Sequence, residues 1–504
     1  MKGKTMDRFT RSIAMTSARH PWRTIAGWIL VMVTVLFLGA GSGGTFTDDF
    51  AAPGSESDRA MELLNENFPE AAQGKVLVVL AAEDGDTLVS HQDAIASVLT
   101  DVATFEHVES VADPFQAGTV SEDGRIGFAE LTLDVPEREM GKPAFAVLSE
   151  AVAGSDVSGV QVEFGGDAAF LNAEDETSAH TGIGLLVALL VLLVVFGTVV
   201  SAIVPIGLAL ISVGTGIGGI MLLAGSMDVS TSAIPVAGLV GLGVGIDYAL
   251  FVVARYRENR TAGQDNRVAL ANAMGSSGAA VVFAGGTVVI ATAALAITGL
   301  GILTSIGLST ALVVLMAVAA AITLLPAVLG LLGDRIDTGR LVRRHRPAKR
   351  AEDTVWWRFG HRVSGRPWPY LLGAVVALLA IATPTLWLQT AFPAAGDAPT
   401  STTHRQAYDL LAEGFGTGFN GPLLVVVDLD ESGVDAAGVP ALTEDIASIP
   451  QVASVSEPQT SADGDTVVFT AVPTTGPADL ETSETIEQVR DASPGNVYVS
   501  GITA

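Results

Sequence analysis

The sequence predicts a polytopic α-helical membrane protein that carries two α/β domains of split βαββαβ type outside the membrane. Three observations support this fold class. The chain has 504 residues, of which 49% are hydrophobic and only 16% are charged, a composition that is rare among soluble proteins. Seven apolar stretches are each long enough to cross a bilayer. Two long acidic stretches combine period-2 strand patterns with helical patterns.

The apolar stretches predict the membrane spans in chain order. The spans are Trp22–Ala40, Gly182–Val200, Ala202–Ala224, Ile234–Ala254, Gly278–Leu300, Leu303–Leu332 and Pro369–Leu388. Basic residues precede the first span, so a cleaved signal peptide is the alternative. The apolar run is longer than the usual signal-peptide core, and no A-x-A cleavage site follows it, which favours an uncleaved helix.

The basic residues predict the orientation of the spans. Residues 1–23, 255–267 and 335–366 together contain 20 of the 27 Lys and Arg. Gly41–His180 and Thr390–Ala504 contain 45 of the 54 acidic residues. By the positive-inside rule, the N-terminal segment 1–21 and the linker 333–368 are cytoplasmic, and the two long segments lie outside the cell membrane.

The net charge of −27 is therefore a property of the outer surface. It disfavours nucleic acid as a partner, and a general acidic bias of the source lineage explains it as well as any specific role does.

The two long segments resemble each other. TDDFAAPGSESDRAMELLNENFPEAAQGKVLVVL (47–80) is echoed by TAFPAAGDAPTSTTHRQAYDLLAEGFGTGFNGPLLVVV (390–427), and the later parts match in the same order. Each copy follows a span and reads as helix, strand, helix, strand, strand, helix, strand, which is compatible with a split βαββαβ sandwich. The predicted domains are thus 41–180 and 390–504, separated by the span block 182–332, the basic linker and the span 369–388.

The second copy stops at Ala504, at the point that matches the last strand of the first copy. In the first copy a block of five spans follows that strand. We expect that the sequence is a piece of a longer protein, truncated before an eighth span. A naturally short product is the alternative.

The fourth span contains one carboxylate, Asp247, beside Tyr248. At ~1.5 Å rise per residue, Asp247 lies roughly 20 Å from Ile234 and roughly 12 Å from Arg255, within the hydrocarbon zone. An acid there costs a few kcal/mol and persists where it faces a partner or a water-filled cavity. The pattern predicts a proton or cation relay. A structural carboxylate, hydrogen-bonded inside a helix bundle, is the alternative.

Small residues follow one side of the same span. Gly238, Gly241, Gly245 and Tyr248 are spaced three and four apart, so they share a helical face. Glycines on one face allow another helix to approach the backbone closely. We therefore predict a helix–helix contact at these glycines, beside the acid.

Four stretches resemble the MmpL branch of the resistance-nodulation-division (RND) exporter superfamily. They are FAAPGSES (50–57), GLGVGIDYALFVVARYRE (241–258), AVVFAGGTVVIA (280–291) and ITLLPAVLGLLGDRI (322–336). The resemblance implies twelve spans in two halves, with a porter domain after the first and seventh spans. It also implies that protons entering through Asp-Tyr pairs on the fourth and tenth spans drive export of amphiphiles.

The resemblance assigns roles to individual residues. Asp247 would accept the proton, Tyr248 would be its hydrogen-bonding partner, and Phe251 would line the channel. The fifth-span motif usually has Ser where this sequence has Ala284, so Thr287 is the remaining hydroxyl and would line the channel with a role in the relay; a Thr bonded to its own helix carbonyl is the alternative. The tenth span is missing, so a second half or another subunit is an expected partner.

The function predicted from the sequence is export of lipids or other hydrophobic molecules, driven by the proton motive force. A non-transporting lipid or sterol sensor and a SecDF-like accessory of protein export are the alternatives. The prediction is a secondary transporter, not an enzyme, with the proton as coupling ion and no cofactor. The seven His are scattered, there is no Cys, and no P-loop motif occurs, which disfavours a metal site and a nucleotide site. The linker 335–366, with its Arg and Trp residues, predicts contact with anionic membrane lipid; a plain charged linker is the alternative.

Overall fold

The computed structural model of the protein describes residues 2–44, 46, 54–68, 74–83, 85–135, 141–153, 157–166, 169, 177–339, 355–388, 395–431 and 433–501. The chain divides into two compact units. The membrane unit comprises Met1–Pro53 and Glu176–Thr354, and the α/β unit comprises Gly54–Asp175 and Val355–Ala504. The first residues of the motif at 50–57 and the basic stretch 340–354 of the predicted linker lie outside the described residues.

The first half of the chain contains these helices and strands in order: α1 (Lys2–Arg19), α2 (Pro21–Ala40), α3 (Glu56–Asn67), β1 (Lys75–Ala82), α4 (Gln92–Val102), β2 (Val108–Val111), α5 (Pro114–Ala117), β3 (Ile126–Leu133), α6 (Gly141–Ala153), β4 (Val160–Gly165), α7 (Thr177–Phe196), α8 (Val199–Ala224) and α9 (Ala233–Thr261).

The second half continues with α10 (Asn266–Ala273), α11 (Ala279–Ala293), α12 (Gly301–Ile322), α13 (Leu324–Leu332), α14 (Val355–Gly365), α15 (Pro367–Ala382), α16 (Thr403–Phe415), β5 (Leu423–Asp428), α17 (Val439–Ala447), β6 (Val452–Val455), β7 (Gln459–Thr460), β8 (Thr466–Pro473), α18 (Leu480–Asp491) and β9 (Val497–Ser500).

Apolar helices correspond to each of the seven predicted spans. Six of those in the described chain are long and apolar enough to cross a membrane: Pro21–Ala40, Val199–Ala224, Ala233–Thr261, Asn266–Thr298, Gly301–Asp337 and Pro367–Trp387. The stretch Gly182–Phe196 is a shorter apolar helix. The protein is therefore a multi-pass membrane protein, and several helices extend beyond the bounds predicted from hydropathy.

The sixth predicted span, Leu303–Leu332, is two helices. The backbone leaves the helical region at Thr323, between α12 and α13. Pro326 explains the break, because its ring collides with the carbonyl of the residue four positions earlier, Ile322. The Thr323 hydroxyl accepts a 3.0 Å hydrogen bond from Trp28 Nε1 of α2, so the break also joins the first and sixth spans.

The fifth span is interrupted by one π-helical turn at Met274–Gly278. A π turn alters the backbone hydrogen-bond register of a helix and is common at functional sites. Helix α1 packs against this turn. The Thr10 hydroxyl donates a 3.1 Å bond to the Met274 carbonyl, and Arg11 Nε donates a 3.1 Å bond to the Ala271 carbonyl. The N-terminal helix thus supplies hydrogen bonds to carbonyls at the irregular part of the span.

The α/β unit contains two antiparallel sheets of related topology. The first has the strand order β2-β3-β1-β4, and the second has the order β6-β8-β5-β9 with β7 paired to β8. In each sheet the first strand lies in the middle because it is the most apolar one, with both faces covered. Helices α4 and α6, and α17 and α18, supply apolar side chains to the core of their own sheet. The repeat seen in the sequence is therefore repeated in the arrangement of strands.

The helix that leads each copy packs on the sheet of the other copy. Ala60, Leu63 and Leu64 of α3 pack against Val426 in the second sheet. Ala407 and Leu411 of α16 pack against β1 and β3 of the first sheet. The two α/β domains therefore exchange their leading helices. The sequence pattern predicts the order of these helices along the chain and makes no statement about the sheet on which each one packs.

The exchanged helices also bond to the edge strands. The amide of Val499 in β9 donates a 2.7 Å hydrogen bond to Glu56, the first residue of α3. The amide of Phe164 in β4 donates a 2.7 Å bond to Thr403, the first residue of α16. Both contacts occupy the same place in the repeat. Each bond gives an acceptor to a backbone N–H group that would otherwise have no partner at the edge of its sheet.

Candidate functional site

Helix α9 has one tightly packed face built from small residues. Ala233, Ala237, Gly241, Gly245 and Ala249 are all buried. A Cβ atom on residue 241 would overlap Val313 of α12, and one on residue 245 would lie 3.1 Å from Ala209 Cβ of α8. These two glycines let neighbouring helices approach the backbone of α9, which provides the dispersion contacts that hold apolar helices together in a membrane.

The glycine contact in the structure differs from the expected one in two respects. Gly238 has open space where a Cβ atom would lie, so it takes no part in the close packing. The packed face also lies away from the acid, because residues 241 and 247 are six positions apart, which is about 240° around a helix. Close packing at Gly241 and Gly245 therefore holds α9 on the side away from Asp247 and leaves the side that carries Asp247 open.

The opposite face of α9 is an exposed apolar stripe with Asp247 in its middle. Its members are spaced three or four apart: Val236, Leu239, Gly243, Asp247 and Phe251. Leu239 is 73% exposed and Phe251 is 54% exposed. Within the described residues, the Asp247 carboxylate has no hydrogen bond and no ion pair. An unpaired acid thus lies among apolar side chains, more than three turns from either end of the helix.

Tyr248 points in a different direction from Asp247. Its ring is partly buried and faces Gly285 of α11. Consecutive residues of a helix do not face each other, and no hydrogen bond joins the two side chains in the described part of the chain. The hydrogen-bonding role that the resemblance gives to Tyr248 stays a prediction.

The hydroxyl of the fifth-span motif is turned away from Tyr248. Thr287 is exposed, and its hydroxyl donates a 2.9 Å hydrogen bond to the Phe283 carbonyl one turn earlier. This is the local bonding considered above as the alternative to a relay role. Ala284 is exposed as well. The residue of this motif that meets the ring of Tyr248 is Gly285.

A polar network fixes the far end of α9. Arg257 donates to the Phe196 carbonyl at 2.9 Å and to Asp337 at 2.7 Å. The buried Tyr256 donates a 2.7 Å bond to Asn266 of α10. These bonds tie the ends of four helical segments together. In the sequence, Arg257 served only to predict the orientation of the spans. An arginine at the end of one apolar span and an acid, Asp337, after another are the sequence features that indicate such a network.

The arrangement can do one kind of chemistry. A lone carboxylate in an apolar setting can take up and release a proton, and the charge that appears or disappears changes how well that face tolerates a dry environment. Among the described residues, no three His, Asp or Glu side chains are grouped to hold a metal ion.

Comparison with known proteins identifies the family of the chain. The model of the MMPL family matches residues 49–370. Membrane protein YdfJ of Bacillus subtilis is 33% identical over 497 residues, which is 97% of this chain and 67% of that protein. The mycolic acid-containing lipids exporter MmpL11 of Mycolicibacterium smegmatis is 25% identical over 96% of this chain and 52% of its own length. The heme uptake protein MmpL11 of Mycobacterium tuberculosis is 27% identical over 96% and 52%.

The fold and the site define a multi-pass membrane protein with two related α/β domains and an acid in its fourth span. The chain belongs to the MMPL family. It spans about half the length of the two MmpL11 proteins and 67% of YdfJ.

Proposed function

We propose that this chain belongs to a secondary active transporter that exports lipids or other hydrophobic molecules across the cytoplasmic membrane, driven by the proton motive force. One observation carries the proposal: Asp247 lies unpaired on an exposed apolar face of a membrane helix. Placing an acid there costs about 3 kcal/mol, and packing within the described residues gains nothing from it. Reversible protonation is the use that accounts for this cost.

The relatives support the class of cargo. The name of one of them states export of mycolic acid-containing lipids, and the name of another states uptake of heme. Both cargoes are large and amphiphilic. We infer a hydrophobic or amphiphilic cargo for this chain, collected between the two α/β domains, which we interpret as split βαββαβ porter domains on the outer side of the membrane.

The open face around Asp247 fits a site that is shared with further spans. In this proposal, a second half of the transporter covers the stripe that contains Leu239, Asp247 and Phe251. Asp247 and Tyr248 then form one side of the proton path, and Phe251 lines it. No resident cofactor takes part, because the proton itself is the coupling ion.

Export of a fluorescent phospholipid analogue from energised membrane vesicles tests the proposal. We expect export to stop when a protonophore collapses the gradient, and to be lost in Asp247→Asn with normal amounts of protein in the membrane. Asp228→Asn is the matched control, since Asp228 is an exposed acid of the same unit outside the helices. Full export by Asp247→Asn would refute the relay.

A further inference from the structure

Helix α11 meets Tyr248 at a position that has no side chain. Gly285 is buried, and a Cβ atom on it would lie 3.2 Å from Tyr248 Cε2 and 3.5 Å from the Tyr248 hydroxyl oxygen. The same atom would overlap Cγ2 of Val318 on α12. The backbone of Gly285 therefore lies between an aromatic ring of α9 and a valine of α12, in a gap that has room for a glycine and no room for a larger residue.

The neighbours of Gly285 do not share this contact. Gly286, the next residue, has open space where its Cβ atom would lie. Ala284 and Thr287 are exposed, and the Thr287 hydroxyl is bonded within its own helix. Helix α11 therefore presents a residue without a side chain to Tyr248, and it presents no hydroxyl group there.

We propose that Gly285 is a positioning residue that holds the Tyr248 ring in the orientation needed for the proton relay, an inference that rests on the proposed function of Asp247. A Tyr ring has few low-energy rotamers. A methyl group at residue 285 would lie 3.2 Å from the ring, closer than carbon atoms normally pack, so the ring has to shift by a few tenths of an ångström. Proton transfer depends steeply on geometry, so a shift of this size changes the relay measurably.

The contact also links three spans at one point. Tyr248 is on α9, Gly285 is on α11 and Val318 is on α12. A movement of α11 against either neighbour changes the space available to the ring. Gly285 thus makes the position of Tyr248 sensitive to how the span block is packed.

Infrared titration of the Asp247 carboxyl group in the purified full chain tests this role. The C=O stretching band of the protonated acid is assigned by its loss in Asp247→Asn, and its midpoint pH is then measured in each variant. Gly285→Ala alone overlaps Val318 and is prone to misfold. The informative variant is Gly285→Ala with Val318→Ala, which removes that overlap and keeps the new contact with Tyr248.

We expect the double variant to shift the midpoint pH by about 0.5 unit or more, in the direction that Tyr248→Phe shifts it. Val318→Ala alone and Gly286→Ala are the matched controls, and both should keep the wild-type midpoint. A double variant that titrates like Val318→Ala, while Tyr248→Phe is shifted, would overturn the positioning role.

The outcome is separable from the proposed function. An Asp247→Asn variant that exports normally refutes the relay itself, whatever the titrations show. An unshifted Tyr248→Phe variant refutes any action of Gly285 through Tyr248 and leaves the assignment of Asp247 intact.

Discussion

Two carboxylates, one in each unit, have opposite surroundings. Asp428 ends the central strand β5 of the second sheet, is 4% exposed, and binds Arg59 of α3 at 3.2 Å. Its other oxygen accepts a 3.1 Å hydrogen bond from the Asp430 amide. Asp247 lies on the exposed face of α9 and has neither kind of partner among the described residues.

The difference separates an acid that is bonded within the fold from one that has no partner in the described structure. A buried charge with a cation and a backbone amide contributes to the fold through those bonds. In the repeat, Ala81 of the first copy corresponds to Asp428 of the second, and Gln406 of the second copy corresponds to Arg59 of the first. The exchanged helix α3 therefore makes the charged pair, whereas the corresponding places of α16 and the first sheet hold uncharged residues. Asp247 makes no hydrogen bond or ion pair within the described structure, and it is the acid to which we assign the proposed proton relay.

The largest effect on stability is expected from the packed face of α9. Gly241→Leu places a branched side chain where even a Cβ atom overlaps Val313. We expect a loss of more than about 3 kcal/mol, because neither helix backbone can move aside cheaply. Gly238→Leu, three residues earlier on the same helix and with open space at its Cβ, is the control. Thermal unfolding in detergent measures both, and equal losses would contradict the described packing.

A smaller loss is expected when the structural acid is removed. Asp428→Ala leaves Arg59 without its buried partner, and we expect a loss of about 2 kcal/mol, reduced from the value for a fully buried pair because Arg59 is partly exposed. Asp247→Ala should leave the thermal midpoint unchanged. Glu62→Ala, which removes an exposed partner of Arg59, should cost less than about 1 kcal/mol. If Asp247→Ala proves the more destabilising change, the contrast between the two acids is wrong.

The smallest effect concerns acidification of the α/β unit. Burial lowers the pKa of His404 on the exchanged helix α16. The unfolded chain therefore binds a proton more readily than the folded one, and stability falls as the pH drops through about 6.5. Above that pH, His404 adds no pH dependence to the stability. We expect a flatter stability–pH curve for His404→Gln between pH 7 and pH 5, measured by denaturant unfolding; an unchanged slope would assign the acid sensitivity to other groups.

Some of this organisation could be read from the sequence, and particular residues show why. Hydropathy located the spans, and the internal repeat predicted two related domains. Asp247 was visible because an acid interrupts an apolar run. The repeat could not show that Glu56 and Thr403 bond to the sheets of the opposite copies, because similarity between copies says which segments correspond and not where they pack.

Local geometry hid the remaining features. The break at Thr323 followed from Pro326, a signal that was present but not used. The π turn at Met274–Gly278 has no comparable signal in its residues. Gly285 was overlooked within a quoted motif because its contribution is an absent side chain, which only the neighbouring Tyr248 and Val318 reveal.

The central claim is that Asp247 carries protons and does not hold the fold together. The direct measurement is proton flux into vesicles that contain the purified transporter, made of this chain together with the second half that covers the stripe, and a trapped pH-sensitive dye, after a membrane potential is imposed. We predict flux for the wild type, none for Asp247→Asn, and the same thermal midpoint for both proteins. Undiminished flux in Asp247→Asn would contradict the account.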